Sequence, residues 1–154
     1  MKKILITILF LSSFIINGQK KETFKKLKSY EKGAELIVLK TSDPIDEAFD
    51  KIASYIMDYG LSIDNSDRRL NYLNTGYTSL NTYDFRLKIK VRLMKNDTIT
   101  KIVLRGDALK QTVGFTAVNN HKKMSVIGVA FAQLFEFAEM YDNATITVEN
   151  SLKN

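Results

Sequence analysis

FRLKIKVRLMKNDTITKIVLR, residues 85–105, decides the fold. Phe85, Leu87, Ile89, Val91 and Leu93 alternate with Arg86, Lys88, Lys90, Arg92 and Met94. A period of two puts successive side chains on opposite faces of an extended chain, so the pattern predicts a strand with one face in a core and the other in water. Asn96-Asp97 reads as a two-residue hairpin turn, and Thr98 to Arg105 as the returning strand. On that turn Val91 faces Ile102, Ile89 faces Leu104 and Leu93 faces Thr100, while Arg92 meets Lys101 and Lys88 meets Arg105. Both strands then agree on which face is core.

Upstream, Glu35 to Thr41 holds the continuous apolar run Leu36-Ile37-Val38-Leu39 and reads as another strand. A helix follows, with Asp43 as expected N-cap, Pro44 at its first position, and Asp46 and Glu47 at the positive end of the dipole. Ile45, Ala48, Phe49, Ile52, Ile56 and Tyr59 recur at helical spacing, and Gly60 supplies a left-handed stop. Leu61 to Asp64 can begin a strand, Asn65-Ser66-Asp67 a turn or bulge, and Arg69 to Tyr77 a second extended segment.

Downstream of Gly106, Thr112 to Val118 reads as a strand and Asn119-Asn120 as a break. Lys122 to Tyr141 is the second long helix. Met124, Ile127, Ala130, Phe131, Leu134, Phe135, Ala138 and Tyr141 cover a wide face of it, and Gln133, Glu136 and Glu139 form its polar side. Ala144 to Val148 adds a short terminal strand. No repeats interrupt the order.

The fold class is therefore α+β: an antiparallel sheet of about four to five strands with two main helices packed on one face. The domain is expected over 34–150, preceded by a signal peptide at 1–18 and a basic leader or linker at 19–33. In the signal, Lys2 and Lys3 precede an apolar run from Ile4 to Ile16, and Asn17-Gly18-Gln19 resembles a cleavage region. As a helix such a run spans about 20 Å, short of the roughly 30 Å of a bilayer core. This gives the expectation of an exported protein, periplasmic or secreted, with no transmembrane segment after cleavage. The leader from Lys20 to Gly33 sets six lysines against Glu22 and Glu31.

Composition removes several classes of chemistry. The 154 residues include no cysteine, so thiol nucleophiles, thiolate metal ligands and disulfides have no side chain to use. Loss of Lys2 and Lys3 lowers the formal charge from +6 to about +4. His121, the single histidine, stands in a polar turn, and no nucleophile-elbow spacing offers it a serine. A hydrolase built on it is the weakest of the readings. Asp64, Asp67 and Asp107 fall into no calcium-loop or histidine-ligand pattern, and their expected use is in turns. No glycine-rich phosphate loop precedes a helix, and no cofactor is implied.

One constellation carries a functional hypothesis. Arg86, Lys88, Lys90, Arg92, Lys101 and Arg105 share the outward face of the hairpin, and like charges in cross-strand positions repel. Either acidic neighbours on adjacent strands and solvent offset that repulsion, or an anionic partner does, be it a protein surface, a polysaccharide or lipid headgroups. Tyr72, Tyr77 and Tyr83 would add amphipathic contacts. Nucleic acid suits the charge but not an exported address. A second reading is a carrier enclosing an apolar ligand between helices and sheet, lined by Phe131, Phe135, Ile89 and Val91.

In its order of elements the chain resembles envelope domains of the BamC type and small exported domains of Bacteroidetes, over about residues 35 to 141. The matching text is Leu36-Ile37-Val38-Leu39, Asp43-Pro44 with Ala48-Phe49 and Ile52, Gly60-Leu61-Ser62-Ile63, Asp67 and Thr75-Gly76. The resemblance implies a TATA-binding-protein-like or helix-grip layout in the cell envelope. It brings no catalytic residues, and the lipid-accepting cysteine of the BamC type has no counterpart here. The reading of the sequence is an exported, non-enzymatic binding or interaction module.

Overall fold

The computed structural model describes residues 26–27, 33–79, 85–110, 115–118 and 126–150. The expected signal peptide, Thr112 to Gly114, Tyr83, His121 and Met124 lie outside these residues, as does most of the expected leader. The chain divides into two compact units, Met1–Tyr30 and Glu31–Asn154. Lys26 and Leu27 of the first are helical.

The second unit runs β1 (Leu36–Thr41), α1 (Ile45–Asp58), β2 (Ile63–Asp67), β3 (Tyr72–Thr75), β4 (Thr78–Ser79), β5 (Phe85–Asn96), β6 (Ile99–Lys110), β7 (Phe115–Val118), α2 (Val126–Glu139) and β8 (Thr145–Glu149). The strands form one antiparallel sheet in the order β2-β3-β5-β6-β1-β8, with β4 beside β5 and β7 beside β6. Among the described residues eight strands replace the expected four to five. The additional ones are short or polar. In β2, Ile63 is the single large apolar residue, so this strand at the end of the sheet order shows no alternation.

The long β5–β6 hairpin sits at the centre. Its turn is Asp97-Thr98, one residue later than expected, with Asn96 opposite Ile99. Asp97 has φ +53°, a left-handed conformation that aspartate tolerates better than most residues and that two-residue hairpin turns require at their first central position. The register moves by two residues, which preserves the faces and changes the partners. Val91 now faces Leu104, Leu93 faces Ile102 and Ile89 faces Gly106. Of the expected like-charge pairs, Arg92 instead meets Val103, and Lys88 meets Asp107.

Leu87, Ile89, Val91, Leu93, Ile102, Leu104, Ile37 and Leu39 are buried on the helix side. The helix α1 packs on β2, β5 and β6, and α2 on β1 and β6. Edge-to-face contacts of Tyr59 with Phe137 and Tyr55 with Tyr141 place the two helices side by side on that face. Phe49, Ile52 and Ile56 of α1 are buried, each contributing about 1.5–3 kcal/mol before conformational entropy is set against it. The helix closes as a Schellman motif: Gly60 at φ +81° donates to the Met57 carbonyl, and Leu61 donates to that of Ile56. On α2, Phe137 and Ala132 are buried along with the expected Ala130, Phe131, Leu134, Phe135 and Ala138. The helix is therefore enclosed more completely than its polar side suggested.

Candidate functional site

All six basic residues lie on the sheet face opposite the helices. Alternation along β5 and β6 places them there, and the register sets their neighbours. One row across the sheet reads Tyr72, Arg92, Val103, Val38, Thr147, and the next reads Asn74, Lys90, Arg105, Leu36, Glu149. Arg92 and Arg105 thus stand diagonally about Val103, and Lys101 lies diagonal to Arg92, one step toward the hairpin turn. Arg86 sits at the other end of β5, opposite Leu109.

Carboxylates accompany part of this set. Lys90 Nζ is 2.5 Å from Asp107 Oδ2, Lys88 Nζ 3.8 Å from Asp64 Oδ2, and Arg105 Nη2 4.0 Å from Glu35 Oε2. The Lys88 ammonium also lies 5.8 Å from the ring centre of Tyr77. Arg86, Arg92 and Lys101 have no ion pair among the described residues. The expected face therefore divides into a compensated half and an uncompensated half. Lys40, opposite Lys101 on β1, is a further cation on this face. It was hidden in the sequence because Leu36 to Leu39 reads as one apolar run rather than an alternation.

Between the two rows lies a groove of about 440 Å³, lined by Leu36, Leu70, Tyr72, Lys90, Val91, Arg92, Val103 and Arg105. Leu70 is 69% exposed, on the β2–β3 turn. Asp67 Oδ1 holds that turn by accepting from the amides of Arg69 and Leu70 at 2.9 and 3.2 Å. The expected turn residue Asp67 thus performs that role, although the turn lies at Arg68 to Asn71 and the register irregularity between Ile63 and Asn65. Asn74 Nδ2 donates to the Tyr72 hydroxyl at 2.8 Å, positioning that ring at the groove. Arg105 Nε is out of water and has no hydrogen-bond partner.

Of the residues expected to line an apolar cavity, Phe131, Phe135 and Ile89 are buried core side chains, and Val91, likewise buried, also borders the groove. Among the described residues no cluster of histidine, aspartate or glutamate could hold a metal ion, and no helix is long and apolar enough to cross a membrane.

A second polar cluster joins the helices. Asp43 does not cap α1, where Pro44 precedes the first helical residue and no side chain caps. Instead Asp43 Oδ2 accepts from the Tyr141 hydroxyl at 2.7 Å and from Lys51 Nζ at 3.4 Å. Lys51 also reaches Asp142 at 3.2 Å, and Tyr55 donates to the same carboxylate. The Tyr141 hydrogen bond, followed by Lys51, holds the Asp43 carboxyl below its ordinary value against the opposing effect of burial. Burial, then the Asp43 hydrogen bond, pushes the Tyr141 hydroxyl far above the usual tyrosine value. Each of these groups is engaged by another, which describes a latch between β1, α1 and the end of α2.

No family model and no curated protein matches the chain.

Proposed function

We propose that the protein is an exported, non-enzymatic binding module of the bacterial cell envelope, and that the sheet face opposite its helices takes an anionic partner. The carrying observation is the unequal treatment of the cations. Lys88, Lys90 and Arg105 stand beside carboxylates, whereas Arg86, Arg92 and Lys101 have none beside them among the described residues. Solubility alone requires no such arrangement around an apolar groove, while a partner-binding surface needs charge that its own fold has not neutralised.

The test reverses Arg92 and Lys101 rather than the paired Lys88 and Lys90. Wild type and the Arg92→Glu/Lys101→Glu variant are titrated with polygalacturonate, an acidic protein, phosphatidylglycerol vesicles and a fatty acid at two salt concentrations. Salt-sensitive binding of at least one probe, lost in the variant while its circular dichroism is unchanged, is the expected result. Equal binding by both proteins, or none to any probe, refutes the reading.

A further inference from the structure

We infer that the groove takes a single-chain amphiphile bearing one carboxylate, of the fatty-acid class, with its apolar body along Leu70, Tyr72, Val103 and Leu36 and its head between Arg92 and Arg105. This rests on the anionic-partner reading and specifies its chemistry. The local charge favours a monoanion. Lys90, Arg92 and Arg105 line the groove, Asp107 and Glu35 stand beside two of them, and one positive charge is left at Arg92. Inside the groove, apart from Lys101 and Lys40 beyond its edge, one unmatched cation suits one carboxylate.

Geometry adds to the count. Arg92 lies opposite Val103 on β5 and Arg105 two residues beyond Val103 on β6, a diagonal that long side chains with forked donors can span to one carboxylate. The Nε of Arg105 is buried without a hydrogen-bond partner, so its guanidinium has already lost part of its water, which lowers the desolvation that binding a carboxylate imposes on it. The remaining walls are apolar, and a volume of about 440 Å³ falls in the range of small-molecule sites. An acid lacking an apolar body would leave Leu70 and Val103 facing water.

The experiment is calorimetric titration of dodecanoate into delipidated protein purified from its native source, beside dodecanol, dodecyltrimethylammonium and polygalacturonate. One dodecanoate per chain is expected, with the alcohol weaker and the cation not bound. Arg92→Gln, at an exposed position, should bind dodecanoate roughly tenfold more weakly, the equivalent of one charge-assisted hydrogen bond. Val103→Asp should abolish binding, and Lys95→Gln, exposed near the hairpin turn and outside both the groove and the basic face, should leave it unchanged. Should Val103→Asp fail to fold, Arg92→Gln decides alone. Absence of dodecanoate binding, or equal affinity in Arg92→Gln, overturns the inference. If dodecanoate fails while polygalacturonate or phosphatidylglycerol vesicles bind through Arg92 and Lys101, the amphiphile is refuted and the anionic face stands. If no anionic probe binds, both fall.

Discussion

Thr75 joins the groove's supporting strand to the centre of the sheet. Strands β3 and β4 lie along the same edge of β5 but are interrupted at Gly76 and Tyr77. In this interruption the amide of Ile89 donates to Thr75 Oγ1 at 2.9 Å, in a buried position, and the same hydroxyl donates to the Gly76 carbonyl at 2.9 Å. Thr75→Val keeps the shape and removes both bonds. A buried donor left without an acceptor costs about 1–3 kcal/mol, and at roughly 4 °C per kcal/mol for a domain of this size the melting temperature should fall by about 4–12 °C. Thr75→Ser keeps the hydroxyl and loses one methyl, worth about 0.8 kcal/mol. Thermal melts of the three proteins measure the difference, and amide exchange localises it, with faster exchange at Ile89 in the valine variant alone. If valine is as stable as threonine, or serine costs as much as valine, the side chain is not replacing a missing strand bond.

Asp97→Gly should hold or raise stability by up to about 1 kcal/mol, and Asp97→Val should lower it by about 1–2 kcal/mol, because φ is +53° at this position; urea midpoints distinguish the two. Because the folded state holds the Asp43 carboxyl below its ordinary value, its contribution is present above about pH 4 and lost as pH falls through the lower folded value. Asp43→Asn should therefore flatten the acid limb of a stability profile between pH 2 and pH 6. The raised Tyr141 hydroxyl acts at the other limit: its contribution is present below about pH 10 and lost as pH rises further. Tyr141→Phe should accordingly lose less stability than wild type between pH 9 and pH 11.

The hairpin was legible because β5 has one face in the core and one in water, and the alternation of Phe85 to Met94 records both environments at once. For the same reason all six basic residues were assigned to one face, an assignment the two-residue register shift leaves intact. Their individual neighbours were not legible. The positive φ that Asp97 accepts moved the turn by one residue and placed Lys88 opposite Asp107 instead of Arg105. Strand β2 was read partly as a turn because Asp64, Asn65, Ser66 and Asp67 look alike in an exposed strand and in a loop. Asp43 reads as a cap from local sequence, yet its carboxylate is drawn to Tyr141, 98 residues away. The groove needed Leu36, Leu70, Tyr72 and Val103 from three separate segments, and only the register across the sheet brings them together.

The most direct test of the anionic face is a map of amide shifts in a nuclear magnetic resonance titration with dodecanoate, repeated with polygalacturonate. The account expects the perturbed amides of at least one titration to cluster at Leu36, Lys90, Arg92, Val103 and Arg105, with little change at Ile52, Ile56 or Leu134 under the helices. Shifts confined to the helix side, or no shifts with either probe, would contradict it.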